Sequence, residues 1–142
     1  MAEHGVAQIW RKIPSMYNVI GNHCTTCDTF YFPPRPVCPK CRRKGHLEDH
    51  KFKGLGIVHT FSIVRQAPDD FKTQAPYVVA QVQLDEGPRL TTQIVNCEVT
   101  DVYIGMRVRV CFRKITEFGH AGLILYGFKF EPTMKVTGHP DR

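Results

Sequence analysis

Cysteine is the residue type in this chain whose spacing predicts chemistry most directly. Four of the six cysteines form two Cys-x-x-Cys pairs with ten residues between the pairs. Two residues between thiolates let one tight turn present both sulfurs to a single ion, and a second turn completes a tetrahedral set. The predicted metal ligands are Cys24, Cys27, Cys38 and Cys41. Because four thiolates leave no open coordination position, the metal is predicted to be structural and not catalytic.

Four thiolates admit more than one chemical interpretation. Zinc is favoured because four-cysteine ribbons are a standard zinc pattern, and iron in a rubredoxin-like site is the alternative ion. A disulfide framework would fit a secreted chain, and a thioredoxin-like redox pair would follow a strand of a βαβ unit, which the sequence pattern does not contain. His23, His46 and His50 are close to these cysteines in sequence. We interpret them as non-ligands because four cysteines already satisfy zinc.

The other two cysteines, Cys97 and Cys111, have no partner motif. Alternation places Arg107, Arg109 and Arg113 on the same face of a strand as Cys111. A nucleophilic cysteine needs a nearby base and a lowered pKa, and no sequence feature supplies either. We therefore interpret Cys111 as a packed thiol and predict no catalytic residue.

One helix and two strands are predicted to position the metal ligands. Residues 4–13 have apolar side chains at helical spacing, and Pro14 is predicted to end this helix because proline lacks a backbone donor. Alternation over 17–21 predicts a strand that runs into Cys24, and a linking strand is predicted near 47–53.

From residue 57 onward, short apolar runs alternate with turn residues. In one run Val78, Ala80, Val82 and Leu84 share a face, which is typical of a half-buried strand. The predicted strands are 57–66, 77–84, 90–95, 106–114 and 122–130, with a short helix or turn over 96–104. Five short strands with a longer break after the third predict a small closed barrel of the OB type.

The fold class that follows is mainly β, with an N-terminal helix and a rubredoxin-like zinc ribbon before a five-stranded OB-fold barrel. Gly54 and Gly56 mark the expected boundary between ribbon and barrel. The predicted divisions are a helix at 1–16, the ribbon at 17–53, the barrel at 54–131 and a C-terminal tail at 132–142.

The formal charge of +6 is unevenly distributed. Residues 1–56 contain nine Lys or Arg and four Asp or Glu, whereas residues 57–142 contain ten and nine. The basic excess in the cysteine-bearing half favours a phosphate-bearing ligand, nucleic acid or an acidic protein surface. With no run of 18 apolar residues and no secretory signal pattern, we expect a cytoplasmic protein without a membrane span.

The order of these features resembles a known family. The matching segments are Trp10 in the helix, Tyr-Asn-Val-Ile-Gly-Asn-His-Cys at 17–24, Phe-Pro-Pro-Arg at 32–35, Cys-Pro-Lys-Cys at 38–41, Gly-Leu-Gly-Ile-Val-His-Thr-Phe at 54–61, Pro-Tyr-Val-Val-Ala at 76–80 and Ile-Gly-Met-Arg-Val at 104–108. Over residues 4–130 the chain is similar to the zinc-ribbon/OB-fold acyl-CoA-associated proteins, domain of unknown function family thirty-five.

The resemblance implies a non-catalytic scaffold that binds thiolase-fold enzymes. The chain most resembles archaeal members, which accompany acetoacetyl-CoA thiolase and hydroxymethylglutaryl-CoA (HMG-CoA) synthase at the entry to the mevalonate (isoprenoid) pathway. Such a scaffold would help an unfavourable condensation by passing its product to a favourable one. The helix with Trp10 and the ribbon are predicted to contact a thiolase-fold partner, and the barrel to contact a second enzyme.

The resemblance also implies an acyl-CoA ligand and shows one departure from the family. Arg35, Lys40, Arg42 and Arg43 are candidates to bind CoA phosphates, although each also fits an ordinary exposed basic residue. Family members often have glycine directly after the second cysteine, where the turn can require a positive φ. Here the residue is Asp28, and aspartate tolerates left-handed geometry better than most residues.

Two other classes of function remain as alternatives. OB barrels and zinc ribbons both occur in proteins that bind single-stranded nucleic acid, and the pI near 9.1 is compatible with that role. The barrel half, however, has a charge balance of only +1 (ten basic and nine acidic residues), which argues against it. An enzyme, either a redox ribbon or a Cys111-dependent transferase, is the third class, and no acid, base and nucleophile are placed together to support it.

Overall fold

The computed structural model, which describes residues 5–119 and 122–134, begins with an α-helix, α1, over Val6–Asn18. The prediction that Pro14 ends this helix was wrong, because Pro14 lies inside α1. A proline there removes the backbone bond to the carbonyl of Trp10. Trp10 is exposed, so water can donate to that carbonyl instead. The helix ends at Val19, whose φ of 52° is left-handed.

The ribbon is a three-stranded antiparallel sheet that follows α1. Its strands are β1 (Ile20–Cys24), β2 (Thr29–Tyr31) and β3 (Leu47–Lys51), with β1 in the centre. The predicted strand over 17–21 is therefore displaced, because α1 continues through Tyr17. Gly21 allows close packing, since a Cβ at this position would collide with the carbonyl of Tyr31 and the ring of Phe52.

The second part of the chain is a closed barrel of five strands. They are β4 (Leu55–Val64), β5 (Tyr77–Leu84), β6 (Arg89–Ile94), β7 (Arg107–Glu117) and β8 (Ile124–Pro132), in the order β4-β5-β6-β8-β7 around the barrel. All neighbours are antiparallel except β6 and β8, which meet in parallel where Ile94 lies beside Phe130. The predicted fold class, a mainly β chain with a helix, a zinc ribbon and an OB-fold barrel, is confirmed.

The barrel core comes from alternate residues of its strands. In β5 the four residues predicted to share a face, Val78, Ala80, Val82 and Leu84, are all buried. Val58 on β4, Val108 on β7 and Phe130 on β8 are also fully buried. Complete burial of a valine, leucine or phenylalanine side chain contributes about 1.5–3 kcal/mol each.

Of two connections in the barrel, one agrees with the sequence-based prediction and the other differs from it. Residues 96–104 form turns and bends, which is one of the two forms predicted for this segment, and Asn96 has a left-handed φ of 61°. A short 3-10 helix over Asp69–Gln74, hereafter the 3-10 segment, lies between β4 and β5 and had not been predicted. Pro68 before it and two acidic residues in its first turn were signals for a helix start.

The two parts of the chain form separate compact units, one ending at Lys53 and the other beginning at Gly54. The predicted tail, 132–142, falls mostly outside the described residues, and Pro132 itself belongs to β8. Within the described ranges no helix is both long and apolar enough to cross a membrane.

Candidate metal centre

The ribbon brings the sulfur atoms of Cys24, Cys27, Cys38 and Cys41 within 4.8 Å of one another. Cys24 and Cys38 are buried, whereas Cys27 and Cys41 are half-buried. The Sγ atoms of Cys27 and Cys38 are 3.6 Å apart, too far for a disulfide. A tetrahedral ion with metal–sulfur bonds of about 2.3 Å would place its ligands about 3.8 Å apart. The donor set therefore fits one tetrahedral metal ion.

The first cysteine turn connects β1 to β2. Cys24 ends β1, and Asp28, directly after Cys27, has a φ of 52°. The expectation that Asp28 can adopt left-handed geometry in this turn is thus confirmed. The backbone N–H of Thr25 donates to the carbonyl of His46 (3.0 Å) and ties the turn to the segment before β3.

The second cysteine turn repeats the same geometry between Cys38 and Gly45. Arg42 follows Cys41 with a φ of 53°, and its N–H donates to the carbonyl of Cys38 (2.8 Å). The N–H of Cys41 donates to the Sγ of Cys38 (3.4 Å). Gly45 closes the turn, because a Cβ there would lie 2.7 Å from the Cβ of Cys38. Each pair of sulfurs is therefore presented by a tight turn that backbone hydrogen bonds fix.

Hydrogen bonds prepare some of these thiols to lose their protons. The N–H of Cys41 and the hydroxyl of Tyr31 (3.5 Å) contact the Sγ of Cys38 and lower its pKa to about 6. Thr29, whose hydroxyl is 3.4 Å from the Sγ of Cys27, lowers the pKa of that thiol. The pKa of Cys41 is raised to about 12, first by its hydrogen bond with Cys27. Metal binding must therefore displace a proton from Cys41.

The three histidines predicted to be non-ligands make other contacts. His23 Nε2 lies 2.6 Å from the carboxylate of Asp28, and His46 Nε2 lies 3.3 Å from that of Glu48. His50 packs against the ring of Phe52 (centroids 5.0 Å apart). In the part of the chain that the structure describes, the one cluster of three or more potential metal ligands consists of the four cysteines.

The basic residues proposed to bind CoA phosphates are all exposed around the second turn. The guanidinium of Arg35 lies over the ring of Tyr31, 5.7 Å from its centroid, and Lys40 donates to the hydroxyl of Thr29 (3.1 Å). Arg42 and Arg43 continue the chain from Cys41. Their phosphate contacts stay a prediction.

The residue proposed to contact a partner, Trp10, is 73% exposed on α1. Val6, one turn earlier on the same face, is also exposed, and α1 has no buried side chain. A surface tryptophan beside another apolar residue is suited to an interface. Its role in partner binding stays a prediction.

Sequence reasoning missed an aromatic pair on the barrel. The rings of Phe112 on β7 and Tyr126 on β8 stack with their centroids 5.6 Å apart and their planes within 7°. Both side chains are exposed. The stack depends on cross-strand register, which brings Phe112 opposite Phe128, two residues from Tyr126. Only a prediction of strand pairing could have identified it.

The cysteines outside the metal centre are half-buried. Burial raises the pKa of Cys97 and that of Cys111. Because the thiolate is the nucleophile, a raised pKa makes a cysteine less reactive.

Comparison with known proteins agrees with this architecture. Residues 16–46 match the family model of the rubredoxin-like zinc ribbon domain of ChsH2, and residues 50–113 match that of its C-terminal OB-fold domain. A DUF35 domain-containing scaffold protein of Methanocaldococcus jannaschii is 53% identical over 127 residues, which are 89% of this chain and 90% of the relative.

Two further comparisons extend over most of the chain. A DUF35 domain-containing scaffold protein of Methanothermobacter thermautotrophicus is 50% identical over 123 residues, covering 87% of this chain and 92% of the relative. The solved structure of the Ltp2-ChsH2(DUF35) aldolase contains a chain that is 27% identical and superposes with a TM-score of 0.68, covering 94% of this chain and 99% of that one.

Proposed function

The chain belongs to the DUF35 family of zinc-ribbon and OB-fold proteins, and on that premise we propose that it is a non-catalytic scaffold for thiolase-fold acyl-CoA enzymes. Its specific task would be to link acetoacetyl-CoA thiolase to HMG-CoA synthase in the mevalonate pathway. The second enzyme would then consume the product of the unfavourable condensation where it is formed. A cytoplasmic location is part of this proposal.

The observation that carries the proposal is the similarity to named scaffold proteins. The Methanocaldococcus relative is 53% identical, and this chain covers 90% of it, so the two proteins share nearly their whole length. Burial raises the pKa of both cysteines outside the metal centre. Thiols with raised pKa values are poor nucleophiles, which is consistent with a protein that binds enzymes and has no catalytic cysteine of its own.

Exposed apolar side chains supply two candidate docking surfaces. On α1, Trp10 and Val6 would contact a thiolase-fold partner together with the ribbon. On the barrel, the stacked rings of Phe112 and Tyr126 would contact the second enzyme. Tryptophan and tyrosine bury large areas at low cost in conformational entropy, which is why they often dominate binding energy.

The metal in this proposal is one structural zinc ion held by the four cysteines. Zinc would hold the two cysteine turns together and so fix the ribbon that carries one docking surface. Apparent binding free energies of structural zinc are about 10–16 kcal/mol, comparable to the stability of a whole domain. Arg35, Lys40, Arg42 and Arg43 border the second turn and would contact phosphates of CoA carried by the bound enzymes.

The stacked aromatic pair also favours a second candidate function. Exposed rings on an OB barrel can stack on bases, so Phe112 and Tyr126 would suit single-stranded nucleic acid. The near balance of charge in residues 57–142 opposes this alternative, because a nucleic-acid groove needs an excess of basic side chains.

Affinity purification of the native protein from its own cell extract, followed by mass spectrometry, distinguishes the two functions. Recovery of the thiolase and HMG-CoA synthase in fixed proportion, resistant to nuclease and moderate salt, supports the scaffold. Recovery of nucleic acid and its processing proteins, lost after nuclease treatment, contradicts the scaffold and supports the alternative.

A further inference from the structure

Lys129 on β8 is an unusual residue, because it is charged and yet only 6% exposed. Its Nζ donates to the side-chain oxygen of Gln74 (3.2 Å). Among residues 5–119 and 122–134, no carboxylate lies within ion-pair distance of this Nζ. Lysine is rarely buried without a negative partner, since removing the ammonium from water is costly.

Gln74 holds Lys129 without neutralising it. The Nε2 of Gln74 donates to the carbonyl of Ile115 (2.9 Å), so its oxygen is left to accept from Lys129. Both contacts fix the orientation of the Gln74 amide, because the carbonyl of Ile115 can only accept a hydrogen bond and the ammonium of Lys129 can only donate one. The ammonium is thus held by a neutral group at the end of the 3-10 segment, and within the described part of the chain its one hydrogen-bond partner is Gln74.

A second cation lies on the same face. Strand pairing places Cys111 opposite Lys129, and Arg113 is two residues beyond Cys111, so all three side chains are on one side of the β7–β8 pair. Arg113 donates to the side-chain oxygen of Asn96 (2.9 Å) and also makes a hydrogen bond with the thiol of Cys111. Burial first, and then the positive charge of Arg113, lower the pKa of Lys129.

Glu131, two residues beyond Lys129 on the same face of β8, already has hydrogen-bond partners. Glu131 accepts from the side chain of Asn96 and from Nε of Arg109 (2.8 Å). On this face Arg107 pairs with Asp85 and Arg109 pairs with Glu131. Arg113 and Lys129 have no ion pair with a carboxylate among the described residues, which leaves an excess of two positive charges.

We propose that Lys129 and Arg113 form a binding site for a phosphoryl oxyanion on the outer face of β7 and β8. A phosphate monoester carries about −1.5 to −2 charge at neutral pH, which matches the excess, whereas a carboxylate supplies only one negative charge. The guanidinium of Arg113 can bind two phosphate oxygens side by side, and Lys129 supplies a fixed point charge. The thiol of Cys111 borders the site and adds no charge.

This site is independent of the scaffold proposal. All its residues belong to the barrel unit, whereas the basic residues considered for CoA surround the second cysteine turn of the ribbon. Arg113 is exposed and Lys129 is buried, so an anion would enter over Arg113 and meet Lys129 at the base.

The test is a titration of the full-length, 15N-labelled protein with inorganic phosphate at constant ionic strength, followed by amide NMR shifts. We expect a saturable change at Cys111, Arg113 and Lys129. Lys129→Met and Arg113→Gln should each weaken phosphate binding about tenfold or more, because each removes a charge-assisted contact.

Lys114→Met is the matched control. Lys114 is an exposed lysine on the same strand as Arg113 and pairs with Glu117 (3.0 Å), so its loss should change the affinity by about twofold at most. If Lys129→Met does not fold, the phosphate affinity of Arg113→Gln tests the proposal alone. Arg113 is exposed, so its substitution should leave the fold intact. Absence of a saturable change in the wild type, or unchanged affinity in Arg113→Gln, overturns the proposal.

Discussion

The Sγ atoms of Cys27 and Cys38 lie 3.6 Å apart, although ten residues separate the two cysteines in the sequence. Each cysteine pair lies in a tight turn, and in both turns the residue after the second cysteine is left-handed. These residues are Asp28 and Arg42. The distance is close to the edge of a tetrahedron of sulfurs around zinc. The ribbon geometry therefore fits the requirements of one tetrahedral ion.

The first prediction concerns removal of the metal. A strong chelator should abolish the dispersed NMR signals of residues 19–53 and leave those of the barrel, because the small aromatic core of the ribbon cannot replace about 10–16 kcal/mol of zinc binding. Elemental analysis should give one zinc per chain, lost in Cys38→Ser and kept in Cys97→Ser. Retention of the ribbon spectrum after complete chelation would contradict this view.

The second prediction concerns the barrel core. Phe130→Ala should lower the free energy of unfolding by about 3–5 kcal/mol, because Phe130 is fully buried and its removal leaves a cavity. Phe112→Ala removes the same atoms from a side chain that is 53% exposed and should cost much less. Urea unfolding of the zinc-loaded protein measures both, and equal losses would argue against the assigned core.

Features that depend on neighbouring residues could be predicted from the sequence, whereas most features that depend on residues far apart in the chain could not. The cysteine spacing, the turn at Asp28 and the alternation of β5 are local patterns, and the structure has each of them. The 3-10 segment was missed although Pro68 and its acidic first turn are local signals, whereas the burial of Lys129 was missed because it depends on a distant partner. Lys129 is covered with the help of Gln74, which is 55 residues away.

Pro14 illustrates a different limit. Pro14 has no N–H, so the helix loses one backbone hydrogen bond. Water can replace this bond only where the freed carbonyl is exposed, and exposure cannot be read from the sequence. The stacked rings of Phe112 and Tyr126 likewise required the register of β7 against β8.

The third prediction concerns pH. The side chain of Asn96 first, and then Arg109, lower the pKa of Glu131 below its ordinary value. A lowered pKa in the folded state means that Glu131 stabilises the fold above the unfolded value of about 4.3 and loses this contribution as the pH falls through the folded value. Glu131→Gln should therefore lose stability relative to wild type at pH 7, with the difference shrinking toward pH 3.

Urea unfolding at successive pH values measures that difference. Zinc release at low pH affects both proteins alike, so the comparison isolates Glu131. A difference that stays constant with pH would show that the carboxylate is not held in its charged form.

The fourth prediction concerns the docking surface of α1. Trp10→Ala should leave thermal stability nearly unchanged, because Trp10 is exposed, but weaken binding of the thiolase about tenfold or more. Ile104→Ala, another exposed apolar side chain, is the control and should leave thiolase binding intact. Calorimetric titration with the purified thiolase measures the affinity of each variant. Identical affinities for the two variants would show that Trp10 does not contribute to thiolase binding.

Reconstitution with the purified acetoacetyl-CoA thiolase and HMG-CoA synthase of the same organism tests the scaffold most directly. The three proteins are mixed and analysed by size-exclusion chromatography with light scattering, with and without this chain. We predict one complex that contains all three proteins and that separates into the two enzymes when the chain is omitted. Elution of the chain apart from both enzymes, or association of the enzymes equally well without it, would contradict the account.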